Sequence, residues 1–65
     1  MRIVIRALDE QMKETEVIVE MRGLPKVGDM VREPSGRTWQ IKHEIHDGSV
    51  NDPVFRGQIM PTLPA

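Results

Sequence analysis

The sequence predicts one small, mostly-β domain built as a five-stranded barrel. Three observations lead to this prediction. Short runs in which apolar and polar residues alternate recur along the chain, a pattern typical of half-buried strands. Turn-forming glycine and proline residues separate most of these runs. The chain has 65 residues, enough for a single domain, and closing its sheet would remove exposed strand edges.

Composition limits how the domain is stabilised and what it binds. There is no cysteine, so disulfides and thiolate zinc sites are excluded. The net charge is −1, which gives the whole chain little attraction for nucleic acid or anionic lipid. No apolar run approaches the ~20 residues that span a bilayer, and the N-terminal apolar stretch is too short for a signal peptide. A cytoplasmic location is therefore the expectation.

The first third of the chain predicts two strands. Residues 1–7 alternate, so that Ile5 faces one side of the sheet and Val4 the other. Residues 15–22 repeat this alternation, and the β-branched run 17–19 favours a strand over a helix.

The linker between these two strands leaves two structures open. Residues 8–14 are mostly polar and lack glycine, which predicts either an open hairpin loop or a short helical turn. A helix over 9–21 is the alternative, because Glu, Gln, Lys and Met favour helices. That helix would turn the domain into an α+β fold of unknown function.

A second hairpin is predicted over 27–47. At its tip, the proline of Glu-Pro-Ser-Gly-Arg suits the second position of a type I turn, and the glycine supplies the left-handed residue that follows. This turn pairs Glu33 with Arg37. It also places Val31 opposite Trp39.

The remaining elements follow from the same patterns. The strand over 38–47 is long and is expected to bend. Its core-facing residues are predicted to be Trp39, Ile41, His43 and Ile45. The last strand is predicted over 54–60, where Gly57 allows a kink or a close approach of another chain segment. Residues 1–60 thus form the domain, and 61–65 form a C-terminal tail.

The central hairpin resembles a recurring element of SH3-like barrels. Residues 27–31 and 34–41 carry it: a Gly-Asp opens a strand, a tight glycine turn follows, and the next strand begins with a polar residue and an aromatic. The resemblance implies a single five-stranded SH3-like barrel. The chain also resembles short uncharacterised proteins of bacteria and phages, which implies no particular activity.

Neither a catalytic site nor a metal or cofactor site is predicted. His43 and His46 are three residues apart, so on a strand they point to opposite faces and do not chelate one ion. Both serines lie in predicted turns without a nearby histidine. The chain is therefore not expected to be an enzyme, since a small barrel is filled by its own side chains.

Nucleic-acid binding is the alternative function. Small barrels use a sheet face in which basic residues alternate with exposed aromatics. The basic residues that would serve here are Arg22, Arg32, Arg37 and Lys42. Glutamates are interleaved with them, and both aromatic residues are expected in the core.

The favoured function is a non-catalytic protein-interaction module, a small accessory or regulatory protein of bacterial or phage origin. Val4 and Ile18 are predicted to form an apolar patch on the outer face of the first hairpin. The charged residues expected around this patch are Arg6, Glu16 and Glu20. Its partner is another protein or a second copy of the chain in a homodimer. Alternatively, Met60 and Leu63 cover the patch, or a partner adds a strand to an open edge.

Overall fold

Five β-strands form one curled sheet in the computed structural model, which describes residues 1–61. In chain order they are β1 (Arg2–Leu8), β2 (Glu14–Glu20), β3 (Met30–Arg32), β4 (Thr38–Ile45) and β5 (Val54–Ile59). They lie in the order β2-β1-β5-β4-β3. Neighbours are antiparallel except β1 and β5, which are parallel. The sheet curls into a half-barrel, which confirms the small, mostly-β, barrel-like fold.

The half-barrel differs from a closed barrel at its two end strands. Within the described residues, β2 and β3 each have one strand neighbour and do not pair with each other. The helix predicted as an alternative over 9–21 is wrong, because most of that segment is β2. The predicted tail, apart from Pro61, lies outside the described residues, and so does the covering role predicted for Leu63.

The core lies on the concave face of the sheet. Strand alternation brings every second residue of β1 and β2, and of β4 as far as Ile41, to this face, together with single residues of β3 and β5. The buried cluster consists of Ile3, Ile5, Ala7, Val17, Val19, Val31, Trp39, Ile41 and Phe55. Trp39 is its largest fully buried side chain. Removal of this apolar surface from water is the main stabilising contribution to folding.

The second hairpin has the loop that the sequence predicts. The N–H of Glu33 donates to the C=O of Arg37 (2.9 Å), and the N–H of Gly36 donates to the C=O of Glu33 (2.9 Å). Gly36 has φ +100°, the left-handed conformation expected of the residue after a type I turn. Val31 lies opposite Trp39. The predicted turn and register are both confirmed.

The first hairpin uses the same loop geometry without a glycine. The N–H of Asp9 donates to the C=O of Lys13 (2.9 Å), and the N–H of Met12 donates to the C=O of Asp9 (3.0 Å). Met12 occupies the left-handed position with φ 63°. The Asp9 carboxylate accepts the N–H groups of Gln11 and Lys13. The linker is therefore a β-turn held by Asp9, and not the helical turn given as one option over 8–14.

Replacing Met12 with glycine is expected to raise the free energy of unfolding by about 1 kcal/mol, because a left-handed conformation is strained for residues other than glycine. The Met12 side chain is 73% exposed, so its loss removes little packing. Urea denaturation followed by Trp39 fluorescence measures the change. The matched control, Gly36→Ala in the other hairpin, is expected to destabilise. A Met12→Gly variant less stable than wild type would contradict the assigned strain.

The third strand starts later than the sequence suggests, because a turn precedes it. The N–H of Asp29 donates to the C=O of Lys26 (2.9 Å), and Gly28, with φ +94°, is the left-handed residue of this turn. Gly28 and Asp29 both lie opposite Ile41. The N–H of Gly28 donates to the C=O of Ile41, and the N–H of Ile41 donates to the C=O of Asp29. This two-against-one arrangement is a β-bulge. Regular pairing therefore begins at Met30.

A second bulge corrects the predicted core. The pairing of β4 with β5 shifts between Ile41 and His43, so that Lys42 is an extra residue. The alternation reverses after it, because a bulge adds one residue to one strand. The prediction that His43 faces the core is wrong: His43 is exposed and pairs with Arg56. Ile45 pairs with Val54 instead of joining the buried cluster.

A buried carboxylate links the second hairpin to the core. Glu33 is 6% exposed and accepts hydrogen bonds from Arg37 Nε (2.7 Å), Trp39 Nε1 (3.2 Å) and the hydroxyl of Ser35. Burial acts to raise the pKa of Glu33, but these three donors outweigh it, so the pKa lies below its ordinary value. The guanidinium of Arg37 also lies 5.4 Å from the centre of the Trp39 ring, within cation–π range.

Candidate protein-binding edge

The outer face of the first hairpin brings together the residues predicted for an interface. Val4 lies opposite Ile18, Arg6 opposite Glu16, and Arg2 opposite Glu20. This register follows from the alternation of the two strands and from the loop that joins them. Charged residues thus lie on both sides of Ile18 along β2, at Glu16 and Glu20.

Val4 does not form the exposed apolar patch that the sequence predicts. Its side chain is 4% exposed, whereas Ile18 is 57% exposed. The reason is that β1 is a central strand: Val4 lies between Ile18 of β2 and Val54 of β5. The exposed apolar residue of this surface is therefore Ile18, on the end strand.

Ion pairs hold the loop that follows β4 against the outer face of β1. Arg6 contacts Asp47 (3.0 Å), and Arg2 contacts Asp52 (3.2 Å), so the pairs lie on either side of Val4 along the strand. The hydroxyl and N–H of Ser49 and the Arg6 guanidinium lower the pKa of Asp47. Hydrogen bonds to Glu16 and Asp47 in turn raise the pKa of Arg6. These contacts keep the 47–52 loop on the outer side of the central strands.

The glutamates of β2 are anchored to the sheet. Glu16 contacts Arg6 (3.1 Å), Glu14 contacts Arg56, and Glu20 lies 3.5 Å from the N-terminal ammonium group. Each of the three carboxylates remains more than half exposed. The outer side of β2 is therefore an acidic row with Ile18 in it.

The hydrogen-bond pattern shows which backbone groups of β2 face solvent. The N–H of Met21 donates to the C=O of Met1 (2.7 Å), and Asp9 pairs with Lys13 at the other end of the hairpin. Because antiparallel strands exchange hydrogen bonds at every second residue, the odd-numbered residues of β2 bond to β1. The even-numbered residues therefore direct their N–H and C=O groups away from the sheet. These residues are Glu14, Glu16, Ile18 and Glu20.

This free edge of β2 carries three glutamates, which disfavour pairing with an acidic strand, but it lacks the other features that commonly block edge strands. Proteins protect such edges with charged side chains, proline, bulges or very short strands. β2 is seven residues long, contains neither proline nor lysine, and pairs with β1 without a register shift. An extended chain of complementary sequence has access to its full length.

The residues of the nucleic-acid alternative are dispersed. Arg22 lies in the loop after β2, Arg32 on β3, and Lys42 at the bulge in β4, all exposed. Arg37 is engaged with Glu33 and lies over the ring of Trp39. Both aromatic residues of the chain, Trp39 and Phe55, are buried, so they provide no platform for base stacking.

Residues 1–61 contain neither a metal-binding cluster nor a membrane-spanning helix. His43, Glu44 and His46 are exposed, and no cluster of three or more His, Asp or Glu side chains with metal-binding geometry occurs in this part of the chain. The same residues include no helix of the length and apolar character needed to cross a bilayer.

A cleft of about 310 Å³ opens where β1 and β5 diverge. The parallel pairing ends at Arg6 and Arg56, although β1 continues to Leu8. The cleft is lined by Leu8, Asp9, Met12, Arg56, Gly57, Gln58 and Ile59. Asp9 is engaged by its own loop and Arg56 by Glu14. Its charged groups are therefore already paired, and the free edge of β2 remains the stronger candidate site.

Comparison with known proteins does not connect the chain to a family. Searches against protein-family models, curated proteins and solved structures gave no match. The assignment of a function therefore depends on the geometry of the β2 edge.

Proposed function

We propose that the chain is a non-catalytic protein-interaction module that binds an extended segment of a partner along the free edge of β2. The observation that carries the proposal is the row of outward-directed backbone groups on this strand, with the exposed Ile18 among them. The role is that of a small accessory or regulatory protein, and the cytoplasmic location expected from the sequence is part of the proposal.

Strand addition supplies both affinity and specificity. Backbone hydrogen bonds to the edge give affinity, and alternate side chains of the added strand give specificity. On the inner face, an added strand lies beside Val17 and Val19, where apolar residues extend the core. On the outer face it lies beside Ile18 and the glutamates. The residues of the partner segment that lie on the inner face are therefore apolar, and those that lie on the outer face are basic or apolar.

The test uses a fluorescently labelled peptide of alternating lysine and valine, whose binding is followed by anisotropy. Ile18→Pro removes one outward N–H from β2 without removing a bond to β1, and proline is tolerated on edge strands. We expect this variant to bind the peptide at least about tenfold more weakly than wild type, a difference of about 1.4 kcal/mol. Ile18→Thr, which keeps the N–H and the strand preference, is the matched control and retains most of the binding.

Amide hydrogen exchange locates the bound peptide. The N–H groups of Glu16, Ile18 and Glu20 are expected to exchange fast in the free protein and slowly in the complex. Unchanged Trp39 fluorescence in Ile18→Pro shows that the core is intact. Equal peptide affinity of the proline and threonine variants, or protection confined to another strand, would refute the proposed edge.

A further inference from the structure

The other end strand, β3, has the opposite character from β2. Hydrogen bonds join Glu33 to Arg37 and Asp29 to Ile41, so the odd-numbered residues here bond to β4. Val31, opposite Trp39, is one of them. Met30 and Arg32 therefore direct their backbone groups away from the sheet. Met30 is 53% exposed. The free edge of β3 thus combines an apolar side chain with a basic one.

The segment before β3 extends this character. Val27, in the turn that leads into β3, is among the exposed large apolar side chains. Within residues 1–61, Lys26 of the same turn and Arg32 of β3 take part in none of the ion pairs. The β3 end of the sheet therefore presents unpaired positive charge beside exposed apolar surface, whereas the β2 end presents glutamates beside Ile18.

We propose that the strand bound by β2 is β3 of a second copy of this chain, so that copies associate head to tail. The inference rests on the proposed function and names the partner for the same edge. Its support is the complementarity of the two free edges in charge and in apolar character, and the orientation of their backbone groups.

One antiparallel register satisfies the backbone, charge and apolar contacts together. With Ile18 opposite Met30 of the second copy, the outward backbone groups of both strands meet, because both residues direct theirs to the free edges. Glu16 then lies opposite Arg32, an attractive cross-strand pair. Val17 lies opposite Val31 on the inner face, where both belong to the buried cores of their own copies.

The two registers that centre a symmetric dimer on the middle of β2 lack this complementarity. If the two-fold axis passes through Ile18, Glu16 of each copy lies opposite Glu20 of the other. If it passes through Val17, Glu14 lies opposite Glu20. Like charges directly opposite each other destabilise a strand pair. A head-to-tail interface has no such conflict, and it leads to a closed ring or an open filament rather than a symmetric dimer.

The experiment blocks each edge separately. Ile18→Pro blocks β2 and leaves β3 free, and Met30→Pro blocks β3 at its first residue, where strands accept proline. Sedimentation velocity at rising protein concentration is expected to show wild type growing beyond a dimer, while each variant alone stays monomeric. An equimolar mixture of the two variants is expected to form a one-to-one heterodimer, because one intact edge of each kind remains.

Charge variants provide a test that does not depend on proline. Arg32→Glu is expected to weaken wild-type association at least tenfold, and the double variant Glu16→Arg/Arg32→Glu is expected to restore it. Dimers formed by Met30→Pro alone, or a mixture that stays monomeric, would overturn the head-to-tail arrangement. A wild type that is monomeric at millimolar concentration would overturn it too. If the monomeric wild type still binds the lysine–valine peptide, the β2 edge functions with another partner and only the head-to-tail association is refuted. If it neither associates nor binds the peptide, strand addition at β2 is refuted as well.

Discussion

Replacing Glu33 with alanine is expected to lower the free energy of unfolding by about 3 kcal/mol. The substitution removes a buried acceptor from three donors and leaves the indole N–H of the fully buried Trp39 without its partner. A buried donor without a partner loses its hydration with nothing in return. Denaturant unfolding followed by Trp39 fluorescence and by circular dichroism measures the loss.

The acid response of wild type checks the same assignment. The pKa of Glu33 in the folded protein lies below its ordinary value of 4.5. Its ionised form therefore stabilises the fold fully at pH values above that ordinary value. This contribution is lost as the pH falls through the folded pKa. Glu33→Gln, which keeps the shape but cannot ionise, should therefore lose less stability in acid than wild type. An alanine variant as stable as wild type at neutral pH would show that the Glu33 cluster does not stabilise the hairpin.

Replacing Gly57 with valine is expected to destabilise the fold by about 3 kcal/mol through overpacking. A Cβ atom at this position would lie 2.7 Å from Cγ2 of Ile5, which is fully buried in the core. Thermal and denaturant unfolding measure the effect. Gly57→Ala should destabilise less, and Gly48→Ala, where no atom lies within 4 Å of the added Cβ, should have little effect.

A double-mutant cycle tests whether the clash with Ile5 is the cause. Ile5→Ala alone creates a cavity and destabilises the core. Combined with Gly57→Val, it provides space for the new side chain. The double variant should therefore lose less stability than the sum of the losses of the two single variants. Strict additivity, or a stable Gly57→Val variant, would contradict the close approach seen between β1 and β5.

Local sequence signals predicted those parts of the fold that depend on neighbouring residues. Pro34 and Gly36 specify the second hairpin loop, and that loop fixes Val31 opposite Trp39. In the first hairpin the equivalent left-handed residue is Met12, which carries no such signal, so the sequence leaves the loop type open. A glycine at position 12 would have shown that the two hairpins are built alike.

Pairing between distant segments could not be predicted in the same way. Val4 is buried because β5 lies parallel to β1 on the side away from β2, and alternation within residues 1–7 does not show this. The bulge at Lys42 likewise depends on the strand opposite it, so alternation alone predicts the wrong face for His43. Whether β2 is an end strand is also a property of the strand order. Of the residues on the free edge of β2, alternation points to Glu16, Ile18 and Glu20 but not to Glu14, and their edge position follows only from the strand order.

The place of β5 in the sheet has a consequence for how the chain folds. β5 is the last strand in sequence, yet it lies between β1 and β4 and is the element that joins the two hairpins. Each hairpin brings together residues near in sequence, whereas the union of the two needs contacts such as Val4 with Val54, which are 50 residues apart. Isolated two-stranded hairpins are marginally stable in water, and distant pairings slow folding. We therefore expect the slow step of folding to be the insertion of β5 between the two hairpins, with most of the stability gained when that step is complete.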